Sequence, residues 1–374
     1  MKKGWEKKRL GEILCLEYGK PLEESARKPH GKYPVYGANG EKDRSDKFYY
    51  DKPTIIVGRK GSAGEINLTE PKFWPLDVTY FVTFNENQHD LRFLYYQLVT
   101  LNLPSLAKGV KPGINRNEIY SQIVKIPPLP EQRRIVGILD EAFDGITKAK
   151  ANAEKNLQNA RELFESHLNE VFSKRDEGWV EKNLGDVCDF RGGGTPSKAV
   201  KRYWKGRIPW VSPKDMKFDV VSDSIDHIST EAIEDSATSL IPKGAVLIVV
   251  RSGILARIVP IAITGRELTI NQDIKALCPN NMVETRFLYD LLESKMPILL
   301  SMVSRGATVH RLMTEQIRSL RFPLPPKAEQ RRIVGLVTLI RIETQRLESI
   351  YQRKLTTLDE LKKSLLQQAF SGNL

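Results

Sequence analysis

Apolar residues recur every three and four positions along two long segments of the chain, residues 131–173 and 329–371. An average spacing of 3.5 residues is typical of helices that pair as a left-handed coiled coil. Each segment predicts a rod of roughly 65 Å, which is too long for the domain before it to cover. We therefore predict that the two helices pair; the alternative is that each packs on its own domain. The main expected seam residues are Ile135, Leu139, Ile146 and Leu163 in the first helix and Ile333, Val337, Ile340, Leu347, Leu358 and Leu361 in the second, with Asn156 and Lys354 as polar residues that set the register.

The chain contains an internal repeat. Glu131–Gly137 returns unchanged as Glu329–Gly335, and the match continues without a gap for 43 residues with 14 identities. Shorter stretches also return in the same order, such as residues 5–13 as residues 179–187. The offset grows from 174 to 198 residues along the chain, so the two copies differ by loop insertions.

Each half outside the long segments alternates short strand-like runs with loops rich in glycine and proline. One further helix is predicted late in each half, at residues 90–101 and 283–295. This pattern favours an α/β (α+β) fold with two tandem mixed domains, two long helices and a pseudo-twofold internal repeat. The predicted bounds are 1–130 and 174–328 for the domains and 131–173 and 329–374 for the helical segments, with Gly372 as the helix stop.

The charge of the chain points to a polyanionic partner. Lysine and arginine total 58 against 46 acidic residues, a net charge of +12. The excess is +6 in residues 1–130, −2 in 131–173, +5 in 174–328 and +3 in 329–374. Two basic globular regions favour nucleic acid as that partner. Charge alone is equally compatible with a basic protein that has no such partner.

Several other classes of protein are disfavoured. The longest apolar run has six residues, whereas a transmembrane helix needs about 20. The charged N-terminus is not followed by the apolar stretch of a secretory signal, so we expect a cytoplasmic protein. The separated cysteines Cys15, Cys188 and Cys278 and five single histidines predict neither a disulfide framework nor a metal site.

Motifs of catalysis are also missing from the sequence. It contains no GxxxxGK[ST] phosphate loop and no Asp/Asn-Pro-Pro-aromatic motif of adenine methyltransferases. The spacing of Glu293 and Lys295 occurs in nucleases, but the nearest acid, Asp290, lies one helical turn away. We interpret this segment as a solvated helix face. The chain is therefore expected to be a binding protein with no catalytic residue and no metal.

The layout and motifs together resemble the specificity subunit of type I restriction-modification systems. The resemblance covers essentially the whole chain. Its most specific parts are the paired proline-rich and Glu-Gln-Arg-Arg-Ile-Val segments that begin at Glu131 and Glu329. Residues 18–40 and 54–64 in the first half and 193–216 in the second are similar to target-recognition domains of that family.

This resemblance implies two recognition domains that each read one half of a bipartite, asymmetric site on double-stranded DNA. The long helices would pair antiparallel and set the gap between the half-sites. The subunit would have no cofactor of its own. It would recruit two methyltransferase subunits, which transfer methyl groups from S-adenosylmethionine to adenine N6, and motor-nuclease subunits, which use ATP and Mg²⁺. A prokaryotic source is implied, and the repeated Glu131–Arg134 segment is expected to be structural or to face the methyltransferase.

Candidate DNA-contacting residues are basic or polar side chains on predicted loops. Arginine can form two hydrogen bonds with guanine; the alternative is a phosphate contact or a surface ion pair. Arg59 and Lys60 follow a strand in the first half and Arg251 follows the matching strand in the second, so they form the best equivalent pair. Trp204 and Trp210 are expected to anchor loops. The full set of candidates is Asn39, Arg59, Lys60, Ser62, Lys108, Lys111, Asn115, Arg116, Thr195, Ser197, Lys198, Lys214, Asp215, Arg251, Arg305, His310 and Arg311.

Two other functions stay open from the sequence. One is a stand-alone DNA methyltransferase or nuclease with a degenerate active site. The other is a bivalent structural protein that bridges DNA without an enzyme partner.

Overall fold

The computed structural model describes residues 4–374, which divide into two compact units. The first unit contains the chain up to Glu154 together with Gln352–Leu374, and the second contains Lys155–Tyr351. Each long helix therefore begins in one unit and ends in the other. Within residues 4–374, no helix is both long and apolar enough to cross a membrane.

The first unit has a mixed α/β fold built on a four-stranded antiparallel sheet, in the order β2-β8-β5-β6. A three-stranded sheet (β4-β3-β7) and a two-stranded sheet (β1-β9) complete it. Its strands are β1 (Glu6–Arg9), β2 (Leu14–Tyr18), β3 (Tyr33–Gly37), β4 (Gly40–Ser45), β5 (Ile55–Gly58), β6 (Ile66–Leu68), β7 (Trp74–Pro75), β8 (Thr79–Phe84) and β9 (Ile123–Ile126). Its helices are α1 (Leu91–Thr100), α2 (Arg116–Tyr120) and the start of α3 (Leu129–Ser173).

The second unit repeats this plan with a five-stranded sheet (β11-β20-β16-β18-β13), a four-stranded sheet (β14-β12-β19-β15) and the strand pairs β10-β22 and β17-β21. Its strands are β10 (Val180–Asn183), β11 (Cys188–Gly192), β12 (Ile208–Val211), β13 (Val220–Val221), β14 (Asp226–Ile228), β15 (Leu240–Ile241), β16 (Val246–Val249), β17 (Arg251–Ser252), β18 (Ile261–Thr264), β19 (Leu268–Ile270), β20 (Ile274–Pro279), β21 (His310–Arg311) and β22 (Arg321–Leu324). Its helices are α4 (Leu184–Val187), α5 (Thr230–Glu234), α6 (Thr285–Ser294), α7 (Met296–Ser301), α8 (Thr314–Arg318) and the start of α9 (Lys327–Ser371).

The central strands are buried on both faces, which explains their continuous apolar runs. Ile55 and Val57 of β5 point into the main core of the first unit, whereas Ile56 packs with Phe73 and Phe81 on the other face. The helices predicted at residues 90–101 and 283–295 are confirmed as α1 and α6. Asp90 caps α1, because its side chain accepts hydrogen bonds from the first two backbone N–H groups beyond Leu91.

In the first unit, the start of α3 runs antiparallel to the end of α9. The Lys150 ammonium lies 2.9 Å from the Asp359 carboxylate, and the Lys362 ammonium lies 5.2 Å from the centre of the Phe143 ring. The C-terminal turns of α9 enter the core, where Phe370 packs on Phe93 of α1. The predicted pairing of the helices is therefore confirmed in this unit, and α9 ends at Ser371, directly before Gly372.

The second unit contains the matching pair, formed by the end of α3 and the start of α9. Arg161 contacts Glu348 at 2.5 Å, and the Arg341 guanidinium lies 5.0 Å from the centre of the Phe164 ring. Phe172 packs against Phe287 of α6. Both helix ends thus belong to the hydrophobic core of the unit that they reach.

The predicted seam is correct in part. Ile135, Leu139 and Ile146 are buried in α3, as are Ile333 and Val337 in α9. Ile340 and Leu358 are half-buried. The positions that are wrong are Leu163, Leu347 and Leu361, whose side chains are 57, 39 and 45% exposed.

The error has a regular form, because alternate seam positions lie one residue later than predicted. Leu157 and Phe164 are half-buried in place of Asn156 and Leu163, and Leu355 takes the place of Lys354. Asn156 and Lys354 are exposed, so they do not set the register. The first turns of each helix pack on a globular core, where the helix keeps its period of 3.6 residues. Ala153 and Ala160 stay buried as predicted, so only the positions that alternate with them have moved on by one residue where the helices pair.

A buried glutamine fixes the start of each long helix. The Gln132 side chain accepts a hydrogen bond from the N–H of Asp90 (2.9 Å) and donates to the carbonyls of Gln88 and Pro127 (3.1 and 2.8 Å). Gln330 accepts from the N–H of Glu284 and donates to the carbonyls of Met282 and Pro325 in the same way. This part of the repeated Glu-Gln-Arg-Arg segment is therefore structural.

The segment around Glu293 is a buried ionic network, so its interpretation as a solvated helix face is wrong. Arg341 of α9 lies 2.7 Å from both the Asp290 and the Glu293 carboxylates, and the Asp290 side chain has no exposed surface. Arg286 lies 3.2 Å from Asp290. Burial raises the pKa of Asp290 to about 6, and the two guanidinium groups oppose that rise. The sequence showed these acids on one helix but not the arginine that arrives from α9.

We predict that Leu168 of α3 stabilises the second unit and that Leu163, a position of the original seam, does not. Leu168→Ala should lower the free energy of unfolding by about 2–4 kcal/mol, because Leu168 is 4% exposed and part of the core. The matched control Leu163→Ala should lower it by less than about 0.5 kcal/mol. Urea denaturation followed by circular dichroism measures both changes, and equal losses would support the original heptad positions.

The buried network generates a second prediction. Arg341→Met should destabilise the protein by about 3 kcal/mol at pH 8, because it leaves the buried Asp290 carboxylate with Arg286 alone and the half-buried Glu293 carboxylate without its cation. The loss should be smaller at pH 5, below the pKa of about 6, where Asp290 takes up a proton and no longer needs a counter-charge. The control is Arg346→Met, which breaks only the exposed pair with Glu343 and should cost less than about 1 kcal/mol. A loss that did not depend on pH would contradict this role of Asp290.

Candidate nucleic-acid interface

Two basic loops of the first unit are joined by backbone hydrogen bonds. The loop after β5 and the loop before α2 meet where the N–H of Gly61 donates to the carbonyl of Pro112 (2.9 Å) and the N–H of Ile114 donates to that of Arg59 (3.0 Å). Lys60 also forms a β-bridge with Gly113. The structure thus brings Arg59, Lys60, Ser62, Lys108, Lys111, Asn115 and Arg116 into one surface, although they lie on two separate segments of the sequence.

An exposed tyrosine organises the arginines of this surface. The guanidinium carbons of Arg59 and Arg116 lie 5.3 and 5.2 Å from the centre of the Tyr18 ring. Tyr18 packs edge-on against Tyr80, and burial raises the pKa of Tyr80, so its hydroxyl keeps its proton. Two like charges on one ring attract an anion, because the ring does not neutralise either of them. Sequence reasoning missed Tyr18, since both arginines are distant from it along the chain.

The Arg59 guanidinium is also held by the backbone. Its Nε and Nη2 donate to the carbonyl of Asp77 at 3.0 and 2.6 Å. These bonds orient the side chain without cancelling its charge. Lys60, Lys111 and Arg116 form no ion pair with any residue in the range 4–374. Their positive charges are available to a partner.

Three of the candidate residues in the first unit make contacts that stabilise the fold. The Asn115 side chain caps α2 by accepting from the N–H of Asn117, and Lys108 pairs with Glu118. Ser62 is half-buried, and its carbonyl approaches Gly58 so closely that a Cβ there would lie 2.1 Å away. Asn39 is exposed in the turn between β3 and β4. The carbonyl of its neighbour Ala38 also contacts Gly58, so this turn lies beside the basic surface.

The second unit has the corresponding surface around Arg251 and Arg311, which pair between β17 and β21. Arg251 Nε donates to the Asp273 carboxylate at 2.5 Å. A cleft lies between these residues and is lined by Pro213, Arg251, Ser252, Asp273, Val309 and Arg311. Arg305 and Arg311 are exposed and form no ion pair within the described part of the chain. His310 is half-buried beside them, and its Nδ1 has no described hydrogen-bond partner.

The predicted pair of loops, with Arg59 and Lys60 in one unit and Arg251 in the other, occupies equivalent positions, and the backbone identifies which residues match. In the first unit the N–H groups of Arg59 and Lys60 donate to one carbonyl, that of Val78; in the second unit Val250 and Arg251 donate to the carbonyl of Asp273. The residue that matches Arg251 is therefore Lys60. The sequence left open which of the two basic residues, Arg59 or Lys60, matches Arg251, because both follow the strand directly.

Of the remaining candidates in the second unit, some bind other residues of the unit and the others are simply exposed. The Asp215 carboxylate accepts from the N–H groups of Ser212 and Ile225, and Lys214 pairs with Asp226 at 2.8 Å. Thr195 donates to the Gln272 side chain, while Ser197 and Lys198 are exposed.

The predicted anchoring role of the two tryptophans is confirmed. Trp210 donates to the carbonyl of Gly194 at 2.9 Å and Trp204 to that of Ser197 at 3.2 Å. The two rings meet edge-on, 5.0 Å apart. Among residues 4–374, no group of His, Cys, Asp or Glu side chains is arranged to hold a metal ion.

Comparison with known proteins supports the internal repeat of the sequence, because one family model matches both halves of the chain. A family model of the type I restriction modification DNA specificity domain matches residues 2–156 and again residues 176–352. The specificity subunit of the type I restriction enzyme EcoR124I/EcoR124II from Escherichia coli is 36% identical over 265 residues. The alignment covers 68% of this chain and 64% of that subunit, slightly less than two thirds of its length.

Two solved structures share the fold. One is a chain from a study of complex assembly and conformational transition of the type I R-M system, with a TM-score of 0.81, 20% identity and coverage of 100% of this chain and 99% of that one. The other is the HsdS subunit from Thermoanaerobacter tengcongensis, with a TM-score of 0.62, 21% identity and coverage of 100% and 98%. The expected α/β fold with a tandem repeat and long helices is confirmed.

Proposed function

The chain belongs to the type I restriction-modification DNA specificity family, and on this premise we propose that it is the subunit that selects the DNA sequence for such a system. The observation that carries the proposal is the pair of basic loop surfaces, one on each copy of the family domain. Both are held by the same backbone ladder, yet their side chains differ. A shared scaffold with different exposed groups suits the reading of two different half-sites.

The target proposed for this chain is a bipartite, asymmetric site on double-stranded DNA. Each unit carries basic side chains that could pair with DNA phosphates or donate hydrogen bonds to guanine. They are Lys60, Lys111 and Arg116 in the first unit and Arg305 and Arg311 in the second. Two readers on one chain also convert two weak contacts into one strong contact when the half-sites have the correct spacing.

We further propose that the chain is not catalytic and acts through partners. Two methyltransferase subunits would supply adenine N6 methylation with S-adenosylmethionine, and motor-nuclease subunits would use ATP and Mg²⁺ on their own chains. Arg134 and Arg332 of the repeated segment are exposed and paired with Glu131 and Glu329 one turn earlier, which leaves them accessible to such a partner.

The two alternative functions have less support. Glu293, whose spacing to Lys295 occurs in nucleases, and the nearest acid, Asp290, both bind Arg341, so a metal ion would have to displace this guanidinium. A bivalent DNA-bridging protein would need the same basic surfaces but no methyltransferase. The proposed function predicts that methylation depends on the chain, which a bridging protein does not; a stand-alone methyltransferase would, in addition, methylate DNA without any partner.

The test is methylome sequencing of a host that expresses the chain with its neighbouring methyltransferase. We expect one bipartite, asymmetric N6-methyladenine motif that disappears when the chain is deleted. As a matched control, exchange of residues 1–130 for the same region of another family member should change one half of the motif and leave the other half unchanged. An adenine methylation pattern that is identical with and without the chain would refute the proposal.

The paired helices generate a prediction about spacing. Insertion of four residues after Asn156 in α3 and four after Lys354 in α9 adds slightly more than one turn and lengthens each helix by roughly 6 Å. The gap between the two halves of the motif should grow by about one or two base pairs, at 3.4 Å each. Substituting four exposed residues at the same places without a change of length is the control, and the gap should then stay as in the wild type. An unchanged gap after insertion would exclude the helices as the spacer.

A further inference from the structure

The basic loop before α2 ends in a small, closed hairpin. The N–H of Lys108 donates to the carbonyl of Gly113 at 2.9 Å, and the N–H of Gly113 donates back to that of Lys108 at 3.0 Å. Gly109 has a φ of +93°, a conformation that side chains disfavour. The bond from Gly61 to Pro112 ties this hairpin to the neighbouring loop. The hairpin, residues 108–113, is thus held in one shape before any partner binds.

Val110 stands at the tip of this hairpin with its whole surface in water. Its relative exposure is 104%, so it contributes no packing to the first unit. A single exposed aliphatic residue is ordinary on a protein surface. Here the residue projects from a braced tip between Lys108 and Lys111. That position is suited to a side chain that becomes buried in a complex.

The second unit repeats the feature in a loop of another length. Ser304 and Arg311 close the loop with reciprocal backbone bonds of 2.8 and 3.0 Å, the same pattern as Lys108 and Gly113. This hairpin, residues 304–311, also carries an exposed valine, Val309, which is 44% exposed. The sequences of the two tips are otherwise different. Val309 lies two residues before Arg311 and lines the cleft beside Arg251, so what recurs is an exposed valine next to the basic residues of the hairpin.

The charge around both tips identifies the kind of partner. Lys60, Lys111 and Arg116 lie around the first hairpin, and Arg305 and Arg311 belong to the second. A protein partner with an apolar surface would meet several unpaired cations beside the single valine, which is a poor match. DNA supplies phosphates for the cations at the rim and base edges for the tip.

We propose that Val110 and Val309 are specificity-determining residues that enter the DNA groove and pack against thymine methyl groups, one in each half-site. The C5-methyl of thymine is the apolar group that base pairs present in the major groove. Lysine and arginine at the base of each hairpin would hold the backbone while the valine distinguishes a methyl group from its absence. This inference rests on the proposed function and adds a residue and a chemical group to it.

The experiment uses the chain in complex with its methyltransferase and the target that methylome sequencing provides. Affinities are measured on the target duplex, on duplexes in which each thymine is replaced in turn by deoxyuridine, and on an unrelated duplex. For the wild type, one deoxyuridine in the first half-site should weaken binding about three- to fivefold, the effect of one methyl group. Val110→Ala should abolish the response at that position and leave binding to the unrelated duplex within about twofold.

Two variants serve as matched controls. Val309→Ala should abolish a thymine response in the second half-site and leave the first unchanged. Lys111→Ala should weaken binding to every duplex alike and reduce the salt dependence by about one phosphate contact. Because Val110 is fully exposed, its replacement should not change the thermal midpoint of unfolding.

The outcomes separate this inference from the proposed function. If the wild-type complex does not prefer its target over the unrelated duplex, the proposed function fails. If it does, but Val110→Ala responds to every deoxyuridine as the wild type does, the inference about the hairpin tips is wrong. Equal weakening of target and unrelated DNA by Val110→Ala would also overturn it.

Discussion

The architecture depends on two buried glutamines that bind three backbone groups each. Gln132 and Gln330 lie in the first turn of α3 and α9. Each side chain accepts a hydrogen bond from the backbone N–H that directly precedes α1 or α6 and donates to two nearby backbone carbonyls. A buried polar group without a partner is costly, so this set of bonds permits one arrangement of helix and domain. These bonds set the direction in which α3 and α9 leave the domain that precedes each of them. The seven-residue identity between the two copies is consistent with this constraint.

Ion pairs then make each copy specific to its own helices. In the first unit Asp140 of α3 accepts from Tyr96 and lies 2.8 Å from Arg92, both on α1. In the second unit the polarity is reversed, because the acids Asp290 and Glu293 lie on α6 and Arg341 lies on α9. The two units therefore share a fold without sharing electrostatics. A helix segment of one unit placed in the other would bring like charges together at a half-buried contact.

The candidate DNA-contacting residues lie mainly on loops whose backbone is held by the strands, while their side chains differ between the two units. The backbone ladder at Lys60 and Gly113 recurs at Arg251 and Arg311, while the residues between its bonds change in number and type. Tyr18 adds an aromatic support for two arginines in the first unit only, since Gly192 ends the matching strand β11 in the second. Such a division allows the exposed loop residues to vary while the core and helices stay the same.

Local information in the sequence determined the repeat, the extent of the long helices, the buried strands and the basic character of both halves. Each of these depends on residues close together in the chain, through helical and strand periodicity, or on a direct match between two segments. The tertiary structure alone decided the seam phase after Leu139, the match of Lys60 with Arg251, the cluster around Tyr18 and the burial of Asp290. Each of these depends on groups that are far apart in the chain, and their contact is set by the packing of sheets and helices rather than by any local preference.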